Sequence, residues 1–163
     1  MSDIEDLEAM VRELRDTNAI HRLKASYCAL VDSGDWDELE TLWSEDAVCD
    51  YDFFGRFEGR AQIMQRFFRD QVSAISTFNA HMIHNGIIDV TGDTARGRWY
   101  LTAHTTAQPG DRAMWVHAIY DDAFARIGEQ WKIAAIKVTF RYFTPFEQGW
   151  AKQPFWQAGN SGS

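Results

Sequence analysis

Only two cysteines, Cys28 and Cys49, occur among the 163 residues, too few for a disulfide framework. Each lies in an apolar run where a buried free thiol is the expected state, and the cytoplasm is the default compartment. Basic charge is also scarce, since 16 Lys and Arg face 24 Asp and Glu for a formal net charge of −8. That balance argues against nucleic acid and anionic membrane surfaces as partners, because both need clustered cations. No apolar run approaches the roughly 18 residues of a membrane span. The start, Met1-Ser2-Asp3-Ile4-Glu5-Asp6, is acidic where a secretory signal is basic and then apolar. Internal repeats and domain linkers are absent as well. A chain this long with 45% hydrophobic residues can bury one sizeable core, so residues 1–157 are expected to form one domain.

The first third reads as helix. Ser2 and Glu5 have capping-box spacing, and Ile4, Leu7, Val11 and Leu14 follow at steps of three and four. This narrow stripe lies on the domain or pairs with another subunit. A second helix runs through Ile20, Leu23, Tyr27, Leu30 and Val31 until Ser33-Gly34 stops it. Asp35 then caps a short helix carrying Trp36, Leu39, Leu42 and Trp43, with Glu38 three residues on. A short strand over residues 47–51 precedes the turn-rich Phe53–Gly59, and a helix from Arg60 to Val72 buries Ile63, Met64, Phe67 and Phe68.

From about Phe78 the period changes to two, and hairpin signals stand at Thr91-Gly-Asp-Thr94, Pro109-Gly-Asp111 and Gly128-Glu-Gln130. Helices first and a meander afterwards specify an α+β domain. The expected form is a cone-shaped barrel, with the N-terminal helices in the concave face of a strongly bent antiparallel or mixed sheet and a pocket at the mouth. Trp150, Phe155 and Trp156 need a surface to pack on, whereas residues 158–163 read as a disordered tail. The aromatic tail and the N-terminal stripe both point to a homo-oligomer.

Asp32 is the most informative residue for chemistry. It sits in the last helical turn, where a carboxylate gains nothing from the helix dipole, although a solvent-facing turn residue is the bland alternative. The strand Ala80–Ile88 offers an imidazole as counterpart, and an Asp-His pair in an aromatic pocket is the central expectation. On a two-residue period Ala80, Met82 and His84 share one face while His81 and Ile83 share the other. One metal therefore cannot be chelated by both histidines of a regular strand, and no metal site is expected. His104 has the phase of Tyr100 and Thr102 and faces away from the core unless a bulge intervenes. Arg141 shares the phase of Trp131 and Ile133 and ends the core face of the last strand, there to hold an oxyanion or pair with an acid. Tyr27 and Tyr51 are packing residues or phenolic donors at the pocket edge. Phe53, Met82 and Trp99 are candidates for an apolar substrate wall, and His21 and His117 are assigned to structure.

The run Tyr27-x-x-x-Val31-Asp32-Ser-Gly-Asp35-Trp36, the segment His81-x-x-His84-Asn-Gly, the strand Gly97-Arg-Trp99-Tyr-Leu and Trp131-Lys-Ile through Arg141-Tyr-Phe-Thr-Pro145 resemble SnoaL-like members of the nuclear transport factor 2-like superfamily. The bile-acid 7α-dehydratases, scytalone dehydratases and hexachlorocyclohexane dehydrochlorinases are the most similar branches. The resemblance spans roughly residues 15 to 150. It implies a cofactor-free lyase, a dehydratase or dehydrohalogenase acting on a hydrophobic cyclic small molecule through an Asp-His dyad. Asp32 falls on the dyad aspartate and His84, rather than His81, on the dyad histidine. Tyr27 and Arg141 fall on a tyrosine and an arginine of the bile-acid enzymes, and Tyr51 on a water-orienting tyrosine of the scytalone enzymes. One departure stands out: Ala103 replaces an aspartate of the bile-acid enzymes, and His104 loosely matches a second histidine of the scytalone enzymes. The resemblance also implies a trimer in preference to a dimer. Its alternatives are a non-catalytic assembly subunit, like the β-subunit of ring-hydroxylating dioxygenases, and a ligand-binding or isomerase-type relative.

Overall fold

The computed structural model describes residues 3–156. Ser2 of the expected capping box and the 158–163 tail lie outside them. The two helices expected at the N-terminus are one, α1 (Asp3–Ser33). Asp16, Ile20, Lys24, Tyr27, Cys28 and Val31 form its buried stripe, at steps of three and four as one helix face requires. Two of those six positions are charged, so the stripe is apolar only in part.

Gly34 ends α1 with φ 71°, a conformation that Gly adopts without a Cβ penalty. The Asp35 N–H then returns to the Leu30 carbonyl at 3.2 Å. Asp35 also caps α2 (Trp36–Thr41), its Oδ1 accepting the Glu38 N–H at 3.2 Å as expected. β1 (Trp43–Asp50), a short 3-10 turn (Asp52–Phe54) and β2 (Arg56–Glu58) follow. A helical stretch comes next, built of α3 (Arg60–Gln62), a π-helical segment (Ile63–Val72) and α4 (Ser73–Ile75). It buries the four residues expected, Ile63, Met64, Phe67 and Phe68.

The long strands β3 (Ser76–Thr91), β4 (Thr94–Ala107), β5 (Arg112–Ile127) and β6 (Gln130–Pro145) form a meander. The six-stranded sheet has the order β2-β1-β6-β5-β4-β3, with β1 parallel to β6 and the other pairs antiparallel. The sheet is mixed, with the N-terminal helices packed on it, and it does not close. Its inner face contributes Trp99, Leu101, Ala103, Val116, Ala118, Tyr120, Phe124, Ile133, Ile136 and Val138 to one core with α1 and the π-helical segment. The C-terminal aromatics find their surface partly on this chain. Trp150, on α5 (Gly149–Lys152), stacks on Tyr142, and Phe155 bridges to Phe143. Among the described residues no helix is long and apolar enough to cross a membrane.

Candidate functional site

The cap at Gly34-Asp35 fixes the last turn of α1, and Asp32 reaches from it to β3. That strand is the edge of the sheet, so its outward backbone N–H groups need partners from elsewhere. Asp32 supplies one. The His81 N–H donates to Asp32 Oδ2 at 2.9 Å and to Oδ1 at 3.2 Å, and the His81 ring Nδ1 lies 2.5 Å from Oδ1. Burial opposes ionisation of Asp32, but the ring and backbone bonds from His81 outweigh it and hold the carboxyl below its ordinary range.

The expected pairing with His84 is therefore corrected. His84 is exposed and sits opposite Tyr100 on the outer face, whereas His81 sits opposite the buried Ala103. The cause is a β-bulge. Counted from the Thr91-Thr94 turn, pairing stays regular to Ile87 and Arg98, then resumes at His84 and Tyr100. Asn85 and Gly86 thus face the single residue Trp99, and Asn85 takes a φ of 52°. Each such step inverts the upstream alternation. A regular strand would have put His84 opposite Leu101, on the inner face. The signal lay in Asn85-Gly86, since a glycine within a strand pattern marks bulges.

His81 lines a cavity of about 360 Å³ between the sheet and the helices. Tyr27, Tyr51, Phe53, Phe54, Phe67, Phe68, Tyr120, Phe140, Phe143 and Trp156 supply the aromatic part of a mostly apolar wall. Of the residues expected at the site, Tyr27, Tyr51 and Phe53 belong to this wall. Tyr51 stacks on Phe67 at a 3.9 Å centroid distance, and its hydroxyl is 3.0 Å from that of Tyr27. Burial pushes both phenols well above their ordinary range, so both keep their protons at neutral pH. One proton serves the bond between them. The Tyr51 hydroxyl also engages the Cys49 thiol, and that of Tyr27 engages Tyr120. Further polar groups come from Asn79, which donates to Ser76 Oγ at 2.7 Å and accepts from Thr105 Oγ1 at 2.8 Å. Asn79 is two residues from His81 on the same strand face, about 7 Å away by strand geometry.

Four other candidates lie away from this cavity, among them His104, which faces outward as its phase indicates. Arg141 is exposed because the extra residue at Ala134 inverts the phase shared with Ile133, so that Ile136, Val138 and Phe140 face inward and Arg141 does not. Met82 pairs with Thr102 on the outer face and is 38% exposed. His104 is exposed and packs edge-on against Trp115. Trp99 is buried against Phe124 and does not line the aromatic cavity. His84 and Trp99 instead border a second hollow with His21 and Arg22.

Beneath the cavity lies an ion pair that sequence reading missed. Lys24 Nζ is 2.8 Å from Asp122 Oδ2, and both side chains are essentially inaccessible. The ammonium also lies 3.4 Å from the Tyr120 ring centroid and 4.5 Å from that of Tyr27, cation–π contacts that help compensate its desolvation. Burial pushes the Asp122 carboxyl up to about 6 against the opposing pull of Lys24. Both cysteines are free and buried, and burial pushes the Cys28 thiol up to about 11, so it is not a thiolate at neutral pH. Among the described residues no group of three or more His, Cys, Asp or Glu is placed to hold a metal ion.

The sequence profile of the SnoaL-like domain matches residues 12–137. An uncharacterized protein of Mycobacterium tuberculosis, strain H37Rv, is 29% identical over 125 residues, covering 76% of this chain and 84% of that protein. Hexachlorocyclohexane dehydrochlorinase (LinA) type 2 superposes with a TM-score of 0.79 at 20% identity, over 83% of this chain and 92% of that one. A scytalone dehydratase-like protein from Novosphingobium aromaticivorans superposes with a TM-score of 0.74 at 21% identity, over 82% and 89% of the two chains. At such identities the structural likeness speaks for the fold. The profile match spans most of the chain, and on that ground the protein belongs to the SnoaL-like domain family.

Proposed function

We propose that the chain is a cofactor-free lyase that eliminates water or a halide from a hydrophobic cyclic molecule, with His81 as general base and Asp32 as its orienting carboxylate. The observation that carries this reading is the 2.5 Å contact between Asp32 Oδ1 and His81 Nδ1 at the wall of an aromatic cavity. With Nδ1 engaged, Nε2 is the nitrogen left for a bound molecule. In the reaction the substrate C–H bond breaks and its proton passes to Nε2. The electron pair forms the new C=C bond, and the C–O or C–halide bond on the adjacent carbon breaks. The Asp32 carboxylate stabilises the charge that the ring acquires. A departing halide needs no proton, whereas a hydroxyl leaves as water after protonation. The ring, after it has taken up the substrate proton, supplies this, and the Tyr27 and Tyr51 hydroxyls at the wall serve to stabilise an oxyanion. The aromatic wall excludes water, which strengthens each of these electrostatic effects.

A second reading has its own observation, because Asp32 accepts the backbone N–H of the edge strand and would be retained in a pocket that only binds. The deciding experiment screens hydroxylated and halogenated alicyclic and polycyclic compounds for elimination, with His81→Ala beside the parent chain. Turnover that falls by roughly 10²–10⁴ in the variant supports the lyase. Tight binding of such compounds with no turnover, or turnover indifferent to His81, overturns it.

A further inference from the structure

The first four turns of α1 stand apart from the rest of the described chain. Every residue from Asp3 to Arg15 is exposed, and burial begins only at Asp16. Yet this segment carries Ile4, Leu7, Val11 and Leu14, respectively 69%, 59%, 40% and 68% exposed. Their spacing of three, four and three places them on one side of the helix, as at the a and d positions of two heptads. An apolar stripe at this spacing has the form of a helix-pairing seam, and a lone helical segment of this length is marginal in water.

The charges along the same segment name the occupant. Asp3, Glu5, Asp6 and Glu8 make its first half purely acidic, whereas Arg12 and Arg15 outweigh Glu13 and leave residues 9–15 net positive. Parallel pairing of two copies would set the four carboxylates of one against the same four of the other. Antiparallel pairing sets Ile4 against Leu14 and Leu7 against Val11, and brings Asp3 and Asp6 level with Arg15 and Arg12 of the other copy, against one like-charge pair, Glu5 and Glu13. It also opposes the two helix dipoles favourably. We propose that residues 4–14 of α1 form an antiparallel two-helix seam with the same segment of a second copy of this chain. The seam is isologous and closes at two copies. Two heptads bury less than a standard interface does, so the association is concentration-dependent. It is independent of the proposed catalysis.

Sedimentation velocity of the full chain from micromolar to hundreds of micromolar tests this, with helicity checked by circular dichroism. The expected result is a monomer–dimer equilibrium in the parent chain and a monomer throughout for Leu7→Glu and for Leu14→Glu, with unchanged thermal unfolding of the folded body. Orientation is read by air oxidation of an equimolar mixture of Leu7→Cys and Val11→Cys chains, since the native cysteines are buried. Mixed disulfides forming several-fold faster than either self-disulfide support the antiparallel seam. Dominant self-disulfides, a parent chain monomeric at every concentration, or a mass unchanged by Leu7→Glu each overturn it.

Discussion

Asp32 and His81, forty-nine residues apart in the chain, meet through three contacts: the ring nitrogen at 2.5 Å and the backbone N–H shared between both carboxylate oxygens at 2.9 and 3.2 Å. One side chain thus closes an edge strand and orients an imidazole. The two duties can be separated by substitution.

Asp32→Asn keeps an oxygen for the His81 N–H but loses the charge facing the ring. Its turnover is expected to fall by about 10² or more while stability changes by no more than about 1–2 kcal/mol, the range of one altered hydrogen bond. Asp32→Ala also strands the backbone donor and is expected to unfold more easily than Asp32→Asn. His84→Ala is expected to leave both quantities unchanged. Steady-state kinetics with urea unfolding of all three variants checks the order.

The buried Lys24–Asp122 pair predicts strong coupling. Removing one partner strands a charge, so Lys24→Met is expected to cost roughly 3–5 kcal/mol. Lys24→Met combined with Asp122→Leu is expected to recover most of that loss. A double-mutant cycle from denaturant unfolding measures it.

Acid and neutral stability respond to Asp122 and Asp32 with opposite signs. Asp122 rises from 3.8 to about 6 on folding, so its contribution is fully present below the unfolded value and is lost as pH rises through about 6. Asp32 is lowered from 3.8, so its contribution is present above that value and is lost as pH falls through the lower folded one. Unfolding between pH 3 and 7 is expected to show a declining limb from about 4 to 6 that disappears in the Lys24→Met/Asp122→Leu chain.

The phenol pair predicts unequal losses of function and fold. Tyr27→Phe and Tyr51→Phe each remove one end of a buried hydrogen bond, at a cost of about 1–3 kcal/mol for the partner left behind. Turnover of a substrate that places an oxygen on these hydroxyls is expected to fall in both variants. The double Phe variant is expected to be more stable than the sum of the singles predicts, which calorimetry of the three variants tests.

Gly86 is the tight point of the bulge. An added Cβ would lie 2.7 Å from Trp99 Nε1 and 3.0 Å from His21 Cε1, so Gly86→Ala is expected to destabilise by about 1–3 kcal/mol through overpacking. Thermal unfolding checks the loss, and activity reports whether His81 has been displaced.

The architecture was legible because the signals that carry it are local: apolar steps of three and four, the Gly34-Asp35 cap, and turn residues between alternating strands. The partners at the site were legible only to within a strand face. Asp32 stood out against its helix dipole, but the choice between His81 and His84 depended on a one-residue step at Asn85-Gly86, and Arg141 was misplaced by another at Ala134 in β6. Such steps arise from pairing between strands, which alternation within one strand does not record. Lys24 was readable in principle, being four residues beyond Ile20 and three before Tyr27. A lysine on an apolar stripe is easily taken for one that snorkels. Its partner Asp122 lies 98 positions away in a strand whose alternation, Val116 to Phe124, already marked that position as inward.

The two-for-one step opposite Trp99 works on β3 much as a frameshift works on a message. Deleting Asn85 would turn over every earlier side chain of the strand, carrying one imidazole out to solvent and bringing the other in. A one-residue difference in length at this point therefore exchanges which imidazole faces the cavity with no change of amino-acid type, and alignment by residue identity alone would match histidines that do not occupy the same place.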